Sequence, residues 1–599
     1  MHYTVYMKKF TFIIFFILLL INTKSVFAKD FATSYIINYT INENAITDIE
    51  YNISLENLSS DYYVTEYTLG LTQDNILNIE ATQDGQKVET IIKTKDNNTN
   101  ITLKLAKSII GKGKLTNLKL KFNSDNIVQK KGSVYELTIP KLVATENLND
   151  YKVIINVHNL IGNELYIFPQ PNLINKTDNF KIFEFSGEGF KGNGINAVFG
   201  EFQLYSMNLK YHLKNPTNQR VKQDITIPPD IKGRQNIIIK NISKIPNHIS
   251  TDLDGNYFAE YFLEPNEEKL IELNLEAKVL NIPANLQLLD PKIYTSSQPF
   301  WEKDSEIVKK TLKLLNLDLQ QSDKTNAQKI FQYVTNTLKY NTDKAVNKVI
   351  EREGVEYALN NPTDTVCMEF SDTFITLARA VGIPAREING FAYTSGSTNK
   401  PLSLRLTTSN DVLHSWAEYY SEEDGWVQVD PTWASTSGLD FFSQFDTNHI
   451  TFVTHGVNSN YPYPAGSYKI DPDEDNFINV QFIAEQTVPV EYKFEARKVL
   501  MAGLLNLIKL NTEVILTNKS NTTVYNFKIG ENTVAVLPPF AQVSLKDTNS
   551  TKISFQTFTG KQINSDVIIE NNTYLSKLLL PIISFLVALV PFLYVIFRK

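Results

Sequence analysis

The feature that most constrains this chain is a change in the spacing of its apolar residues. Short runs that alternate apolar with polar residues, such as TEYTLGL and KLTNLKLKF, occupy about residues 30–200 and return at about 204–282 and 482–570. A period of two is typical of strands that bury one face, and turn-forming clusters such as QDGQ separate the runs. Since 599 residues also exceed what one hydrophobic core usually serves, the pattern predicts several antiparallel β domains.

One block between the second and third β regions has helical spacing instead. Apolar residues recur three and four positions apart in Ser305–Leu315 and again in AQKIFQYVTNTLKY at 327–340. Two amphipathic helices are therefore expected to open a mixed domain. The predicted fold class is multidomain, with an α+β domain flanked by all-β sandwich domains of the Ig-like kind.

The texture of the sequence also suggests where the domains begin and end. We expect an N-terminal β-sandwich domain at 29–203, a second Ig-like β domain at 204–289, the α+β domain at 290–460, a linker at 461–481 and a C-terminal Ig-like domain at 482–572. The pattern L-x-N-x-[ST] occurs in each β region, at Leu55–Ser59, Leu213–Thr217 and Leu516–Ser520. It indicates a repeated strand-turn-strand element, although coincidence explains it nearly as well in so asparagine-rich a chain.

Both ends of the chain have the composition of membrane-directed segments. In residues 1–28, Lys8 and Lys9 precede an apolar run and small residues at a cleavage position, which predicts a signal peptide. Residues 578–597 carry no charge, so we expect a transmembrane helix at 575–597. With Arg598 and Lys599 on the cytoplasmic side, the prediction is a single-pass protein of the cell membrane whose large N-terminal ectodomain faces outward.

The charge balance limits the partners. The chain has 58 Lys and Arg against 65 Asp and Glu, a formal net charge of -7, and no basic block long enough to neutralise a row of phosphates. We therefore expect no nucleic-acid partner. The acidic stretch DLDGN at 252–256 lacks the further ligands of a calcium loop and is interpreted as an Asp-Gly hairpin turn. No metal site and no cofactor are predicted, and the sequence leaves the oligomeric state open.

Cys367 is the only cysteine in the chain. It cannot form an internal disulfide, so stability has to come from hydrophobic cores. A helical stripe follows it, beginning with Phe370 and Phe374 and ending before Gly382 and Pro384, which places the thiol at a helix N-terminus. Unpaired backbone N–H groups there favour thiolate over thiol and are suited to hold an oxyanion. The alternative is an inert, buried thiol that serves as a small hydrophobe.

A histidine and an aspartate follow in two β-like runs, HSWAEYY and WVQVD, which together predict a hairpin. If His414 lies directly opposite Asp430, the connecting loop is Ser421–Glu423, while a different loop or a bulge at Gly425 would shift the register. Cross-strand neighbours lie about 5 Å apart, close enough for the carboxylate to fix the imidazole tautomer and leave the other nitrogen for the sulfur.

Three of the four tryptophans lie in the same stretch. We predict that Trp416 and Trp426 wall the site, contact substrate and exclude water. Packing of the hairpin against the helix would require bulky aromatic residues in any case.

Together the blocks VCMEFSDTFITLARAVGIPAREINGF, HSWAEYY and GWVQVDPTW resemble the core of the transglutaminase-like superfamily over about residues 300–445. The resemblance implies a papain-like arrangement in which Cys367 is the nucleophile, His414 the general base and acid, and Asp430 the orienting carboxylate. The chain departs from the family at Val366, where glycine often precedes the cysteine. A side-chain oxyanion donor is not assigned by the motifs, and Tyr340 is one candidate.

Three charged residues near the cysteine are interpreted as structural. Arg379 and Arg386 are expected to hold the helix end and to pair with nearby acids. Glu369 is expected to favour the helix N-terminus through the helix dipole.

The resemblance predicts a membrane-anchored thiol enzyme that cleaves peptide or glutamine carboxamide bonds through a thioester on Cys367. Water as acceptor would make it a peptidase or amidase, and a lysine amine would make it a protein-crosslinking acyltransferase. Its substrates would be extracellular or envelope proteins and peptides. The alternative is a noncatalytic surface scaffold or adhesion protein with a relic domain. An adhesin with an internal thioester is disfavoured, because Phe370 stands where such proteins have glutamine.

Overall fold

The computed structural model describes residues 30–71, 75–95, 98–139, 148–187, 194–281, 290–345, 351–392, 413–471, 474–501, 511–546 and 550–571. Strands make up 51% of the structure and helices 13%. The chain divides into two compact units. The first draws on Met1–Gln129, Leu137–Ile161 and Pro169–Ile195, and the second on Lys130–Glu136, Gly162–Phe168 and Asn196–Lys599.

In two of the N-terminal strands, Thr47–Asn57 and Lys114–Ser124, buried side chains alternate with more accessible ones, as the sequence pattern predicts. The N-terminal strands are β1 (Phe31–Ile41), β2 (Thr47–Asn57), β3 (Tyr63–Leu71), β4 (Leu77–Gln83), β5 (Gln86–Lys87), β6 (Glu89–Lys95), β7 (Asn98–Ile110), β8 (Lys114–Ser124), β9 (Val128–Lys131), β10 (Val134–Ile139), β11 (Leu148–His158), β12 (Asn163–Phe168), β13 (Leu173–Lys176), β14 (Phe180–Phe185) and β15 (Ile195–Gly200). A short 3-10 helix, Asn159–Ile161, follows β11. In the first unit an eight-stranded sheet has the order β13-β14-β11-β1-β2-β8-β4-β5, and a second sheet has the order β3-β7-β6.

The second unit contains another pair of sheets. Their strands are β16 (Gln203–Lys214), β17 (Val221–Ile227), β18 (Gln235–Ile242), β19 (His248–Thr251), β20 (Tyr257–Leu263), β21 (Glu268–Val279) and a late strand, Ile478–Phe482. The late strand pairs with β16, with Tyr205 opposite Phe482. Part of the stretch predicted as a linker at 461–481 is therefore a strand of this sheet, because its alternating apolar residues complete the same buried face.

The hairpin interpretation of DLDGN is confirmed. The stretch connects β19 to β20, and the backbone N–H of Asp252 donates to the carbonyl of Asn256 across the turn. Gly255 has a φ of 87°, a conformation that glycine adopts without strain.

The α+β domain contains the six α-helices among the described residues. They are α1 (Glu306–Leu315), α2 (Asp323–Thr337), α3 (Thr342–Ala345), α4 (Gly354–Asn360), α5 (Cys367–Ala380) and α6 (Pro431–Ser437), preceded by a 3-10 turn at Ile293–Thr295. Four antiparallel strands complete the domain, namely β22 (Ala385–Ala392), β23 (His414–Ser421), β24 (Gly425–Val429) and β25 (His449–His455). The sheet order is β24-β23-β22-β25, and α5 packs against β23 and β22.

The predicted stripe of α5 is the centre of this domain's core. Phe370, Phe374 and Leu377 are completely buried and lie in one cluster with Trp416 and Tyr419 of β23. The helix begins at the cysteine because the stripe starts there, and it ends before Gly382, whose φ of 88° suits glycine.

The C-terminal domain is a sandwich of two four-stranded sheets. After β26, the late strand at Ile478–Phe482, its strands are β27 (Phe494–Met501), β28 (Asn511–Asn518), β29 (Val524–Ile529), β30 (Asn532–Leu537), β31 (Gln542–Lys546), β32 (Lys552–Gln556), β33 (Gln562–Asp566) and β34 (Ile569–Asn571). The sheet orders are β31-β28-β27-β34 and β30-β29-β32-β33, and their facing residues form a separate core.

The asparagine of the L-x-N-x-[ST] pattern has the same role in all three β regions. Asn57, Asn215 and Asn518 each lie at the end of a strand with no exposed surface. In each case the side-chain oxygen accepts the N–H of the residue two positions on, and the amide nitrogen donates to backbone carbonyls of neighbouring segments. The pattern is thus a repeated corner, in which one buried amide satisfies several backbone groups.

The fold-class prediction has to be corrected at the C-terminus. The longest helix among the described residues has 15 residues, and none of those helices is long and apolar enough to cross a membrane. The predicted transmembrane helix and the single-pass membrane localisation are therefore not supported. The segment 575–597 and the predicted signal peptide at 1–28 lie outside the described residues.

Candidate active site

Cys367 is the first residue of α5 and is partly exposed. Two residues later the buried Glu369 carboxylate turns back and accepts hydrogen bonds from the backbone N–H groups of Val366, at 2.8 Å, and Glu353, at 3.1 Å. The carboxylate thereby fixes the chain where it enters the helix. The thiol sits where unpaired N–H groups and the positive end of the helix dipole lie.

His414 is the first residue of β23 and is 3% exposed. Its Nε2 lies 2.8 Å from Oδ2 of Asp430, and the Cys367 side chain is near enough to interact with the imidazole. Since Nε2 is engaged by the carboxylate, Nδ1 is the nitrogen left for the sulfur. The structure therefore brings together the three residues that the sequence singled out as catalytic.

Asp430 is held from two sides. It is the N-cap of α6, and its Oδ1 accepts the backbone N–H of Trp433 at 2.9 Å. Its Oδ2 faces His414. The dipeptide Asp-Pro that starts this helix thus orients the carboxylate as well as capping the helix.

The hairpin register differs from direct opposition of His414 and Asp430. Ala417 pairs with Val429 and Ser421 with Gly425, so the turn spans 422–424 rather than Ser421–Glu423. The pairing is shifted by two residues, a whole side-chain period, so the same residues face the same side. His414 therefore still reaches the carboxylate that follows Val429.

The charges of this group depend on each other. Burial by itself would lower the pKa of His414, but the charge and hydrogen bond of Asp430 outweigh it, and with the contact to Cys367 they raise that pKa to about 9. Burial would likewise raise the pKa of Asp430, yet the neighbouring imidazoles hold it well below its usual range. At neutral pH the arrangement thus favours an imidazolium next to the sulfur and an ionised carboxylate behind it.

The two tryptophans predicted to wall the site lie in different places. Trp416 is stacked near His414 at 5.9 Å between ring centroids, with Trp433 also near the imidazole at 5.4 Å. The indole N–H of Trp416 donates to Oε1 of Gln428. Trp426 instead packs against Arg386 and Tyr294 in a separate cluster. Both predicted tryptophans are buried, and their contact with substrate stays a prediction.

One residue beside the candidate triad, His449, was not predicted from the sequence. Its Nε2 lies 3.2 Å from Oδ2 of Asp430, the same oxygen that His414 uses, and its Nδ1 lies 2.6 Å from Oδ1 of Asp446. No motif pointed to it, because it follows the matched blocks and belongs to β25. Its one local signal is an aspartate three residues earlier.

His414, Asp430 and His449 form the one group among the described residues whose ligand atoms are close enough to hold a metal, within 4.8 Å of one another. Both nitrogens of His449 already face carboxylate oxygens, and Nε2 of His414 is bonded to Asp430. We interpret the group as satisfied by protons rather than by a cation.

Tyr340 lies near the sulfur. Burial, followed by the negative groups Cys367, Glu369 and Asp430, raises the pKa of its phenol above the usual value. The hydroxyl therefore keeps its proton and remains a hydrogen-bond donor close to Cys367.

The two arginines interpreted from the sequence as structural both contact the fold, and Arg379 binds carbonyls where acidic partners were predicted. Arg379 lies over the Trp301 ring and donates to three backbone carbonyls, those of Ser296, Ala385 and Gly456. Arg386 pairs with Glu418, which also binds Arg234. These contacts hold α5 and the sheet in place around the site.

Comparison with known proteins supports the family resemblance over this domain. Residues 315–431 match the model of the transglutaminase-like superfamily. The uncharacterised protein YebA of Bacillus subtilis is 34% identical over 113 residues, which are 18% of this chain and 15% of that protein. A protein-glutamine gamma-glutamyltransferase of Pseudomonas aeruginosa is 35% identical over 81 residues, 14% of this chain and 12% of the relative. The chain thus spans less than a sixth of the length of these curated relatives.

A solved structure from Cytophaga hutchinsonii, described as that of a candidate cysteine protease, aligns with 47% of this chain and 98% of its own at 13% identity and a TM-score of 0.31. The matched segment is a transglutaminase-like domain, a family associated with cysteine-dependent acyl transfer or peptide hydrolysis.

Proposed function

We propose that this protein is a transglutaminase-like thiol enzyme that attacks the carboxamide of protein-bound glutamine, or a peptide bond, through Cys367. The observation that carries the proposal is the contact of a helix-N-terminal thiol with an imidazole whose other nitrogen is bonded to a buried carboxylate. The similarity to a protein-glutamine gamma-glutamyltransferase supports the choice of substrate class.

In the first half-reaction the sulfur forms a bond to the carbonyl carbon. The developing oxyanion would be held by the backbone N–H of Cys367 and by the phenol of Tyr340. His414 gives its proton to the departing nitrogen, the C–N bond breaks, and ammonia or an amine leaves a thioester on Cys367.

In the second half-reaction an acceptor attacks the thioester carbon while His414 takes its proton. The C–S bond then breaks and the thiolate is restored beside the imidazolium. Water as acceptor yields a carboxylate, whereas a lysine amine yields an isopeptide bond. Asp430 keeps one orientation and one charge throughout, which stabilises the imidazolium whenever it forms.

The test uses the full chain, a glutamine-containing protein and a tagged primary amine. Uptake of the tag would indicate acyl transfer, and ammonia release without uptake would indicate hydrolysis. Either result supports the proposal only if the Cys367→Ser variant forms no product. Equal background from the wild-type protein and Cys367→Ser, over both glutamine and peptide substrates, would reject the enzyme.

A noncatalytic scaffold is the second candidate. It is favoured by the dominance of strands, which make up 51% of the structure against 13% for helices. In that case Cys367 should react with iodoacetamide no faster than a model thiol, and His414→Gln should not change the rate.

A further inference from the structure

His449 occupies an unusual position behind the candidate triad. Each of its ring nitrogens faces a carboxylate oxygen, Oδ2 of Asp430 at 3.2 Å and Oδ1 of Asp446 at 2.6 Å. An ionised carboxylate only accepts hydrogen bonds, so an imidazole between two of them is satisfied only when both nitrogens carry protons. Geometry alone therefore favours the imidazolium.

The surroundings keep this cation away from solvent. His449 has no exposed side-chain surface, and aromatic rings enclose it, with centroids at 4.4 Å for Trp433, 4.5 Å for Phe445 and 4.9 Å for Trp416. Burial would lower the pKa of His449, but Asp446 and Asp430 raise it to about 9.

The titratable groups that face the two imidazoles come from several elements. They are Cys367 of α5, Tyr340 before α3, Asp430 at the start of α6, Asp446 before β25 and Tyr166 of β12, which interacts with Asp446. Asp430 and Asp446 are the groups within hydrogen-bonding distance of His449, so they dominate its charge state.

We propose that His449, held by Asp446, is a positioning residue that locks Oδ2 of Asp430 against His414 and tunes the protonation of His414 with a second buried positive charge. The result is a chain of five groups, Cys367, His414, Asp430, His449 and Asp446, in which the charges alternate. The inference rests on the proposed function, in which the ion pair of Cys367 and His414 is the reactive state.

Two consequences follow for His414. Hydrogen bonds fix both oxygens of Asp430, one to a backbone N–H and one between two imidazoles, so the carboxylate cannot rotate away. At the same time the positive ring of His449 lies 5.7 Å from that of His414 and opposes its protonation. Removal of that charge should raise the pH at which His414 loses its proton, by about one unit.

The experiment measures the rate of iodoacetamide alkylation of the full chain against pH. Because Cys367 is the only cysteine, all labelling reports this site. The rate should show an upper inflection where His414 loses its proton and releases the thiolate from the ion pair. His449→Gln keeps an N–H donor for Asp430 without the charge, and Asp446→Asn removes the carboxylate that holds the charge.

Both variants are expected to move the upper inflection upward by about one pH unit. His455→Gln is the matched control: it alters another buried histidine bonded to a carboxylate, and should leave the inflection in place. An unchanged or lowered inflection in both variants would overturn the inference. A purely structural role would reduce the thermal midpoint of the variants without moving the inflection.

A second measurement does not depend on the variants folding well. In the wild-type chain labelled with 15N-histidine, both ring nitrogens of His449 should be protonated at pH 7. A neutral ring would contradict the inference. Alkylation and nitrogen spectra need no turnover, so absence of enzymatic activity would count against the proposed function while these results decide the role of His449.

Discussion

Besides His449, two buried histidines of the same small sheet each pair with a carboxylate, and only one of these two is placed for chemistry. His414 bonds Asp430 at 2.8 Å, and His455 of β25 bonds Glu387 of β22 at the same distance. The two pairs lie on opposite faces of β23. Neighbouring residues of a strand point to opposite faces, and Ser415, which follows His414, donates to Glu387. Both imidazoles are nearly inaccessible to solvent.

The difference lies in the second nitrogen. His455 directs Nε2 to the carbonyl of Pro462 at 2.7 Å, so both of its nitrogens are used within the fold. Nδ1 of His414 is left for the only thiol in the chain. The carboxylates differ as well, because Glu387 also binds Arg352, which is shared with Asp372. Burial and contact with a carboxylate do not distinguish the structural histidine from the candidate catalytic one. The partner of the second ring nitrogen does.

The sharpest test of this comparison exchanges each histidine for glutamine. His414→Gln should reduce kcat/KM by roughly a thousandfold or more, because no group remains to accept and return the proton. His455→Gln should stay within about tenfold of the wild type once the folded fraction is taken into account. Ammonia release from a glutamine-containing protein provides the measurement, and equal losses in the two variants would remove the distinction.

For stability the order should be reversed: loss of the Glu387 carboxylate, which pairs with His455, should cost more than loss of the Asp430 carboxylate, which pairs with His414. Burial would raise the pKa of Glu387, but Arg352 and His455 lower it to about 2, so the group is ionised and paired. Glu387→Gln should lower the free energy of unfolding by about 3–5 kcal/mol, because part of the buried Arg352 charge loses its partner. Asp430→Asn should cost less, about 1–3 kcal/mol.

Urea denaturation at pH 7 measures both variants. The prediction fails if Asp430→Asn proves the more damaging of the two to stability.

The pH dependence of stability sharpens the comparison further. The pKa values of His414 and His449 are raised from 6.5 to about 9 in the folded protein. A raised folded-state pKa contributes stability that is complete below pH 6.5 and is lost as the pH rises through about 9. Each shift corresponds to about 3 kcal/mol, so the free energy of unfolding should fall by at least that amount over this range.

Denaturation curves at about pH 6.5 and pH 9.5 measure the loss. His414→Gln should flatten the dependence and His455→Gln should leave most of it. A wild-type protein that is equally stable at both values would contradict the charged state of the two imidazoles.

The smallest expected effect concerns the tryptophans. Trp416→Phe keeps an aromatic ring beside His414 but removes the hydrogen bond to Gln428, which should cost about 1 kcal/mol of stability and a few-fold in kcat/KM. Trp426→Phe, in the cluster with Arg386, should leave kcat/KM within about twofold at a comparable cost in stability. Kinetics on the two folded variants distinguish them, and a larger kinetic loss for Trp426→Phe would favour its predicted contact with substrate.

Local pattern was sufficient for the elements that carry the site. The apolar stripe from Phe370 to Leu377 fixed both the helix and its buried face, because a period of 3.6 allows one such arrangement. The hairpin was also predictable, but its register was not, since a three-residue turn at 421–423 or at 422–424 fits the same sequence pattern.

Contacts distant in sequence could not be predicted. His449 lies on β25, which pairs with β22 and not with the strand of His414, so only the order of the sheet brings it to Asp430. The same reason explains the error at the predicted linker, where β26 returns to pair with β16. The corners formed by Asn57, Asn215 and Asn518 differ from these distant contacts. Each contains an Asx turn between residues close in sequence, so it leaves a repeated pattern in the sequence.

By itself the sequence determined which regions are rich in strands, the helix that presents Cys367, and the choice of a thiol, an imidazole and a carboxylate as the candidate site. These follow from periodicity and motif spacing, which record interactions between near neighbours in the chain. Only the tertiary structure decided which nitrogen of His414 is left for the thiol, that both nitrogens of His455 are used within the fold, and that a second imidazole lies beside Asp430. Those outcomes depend on hydrogen bonds between strands that are far apart in sequence, and a buried polar group takes whatever partner the fold supplies.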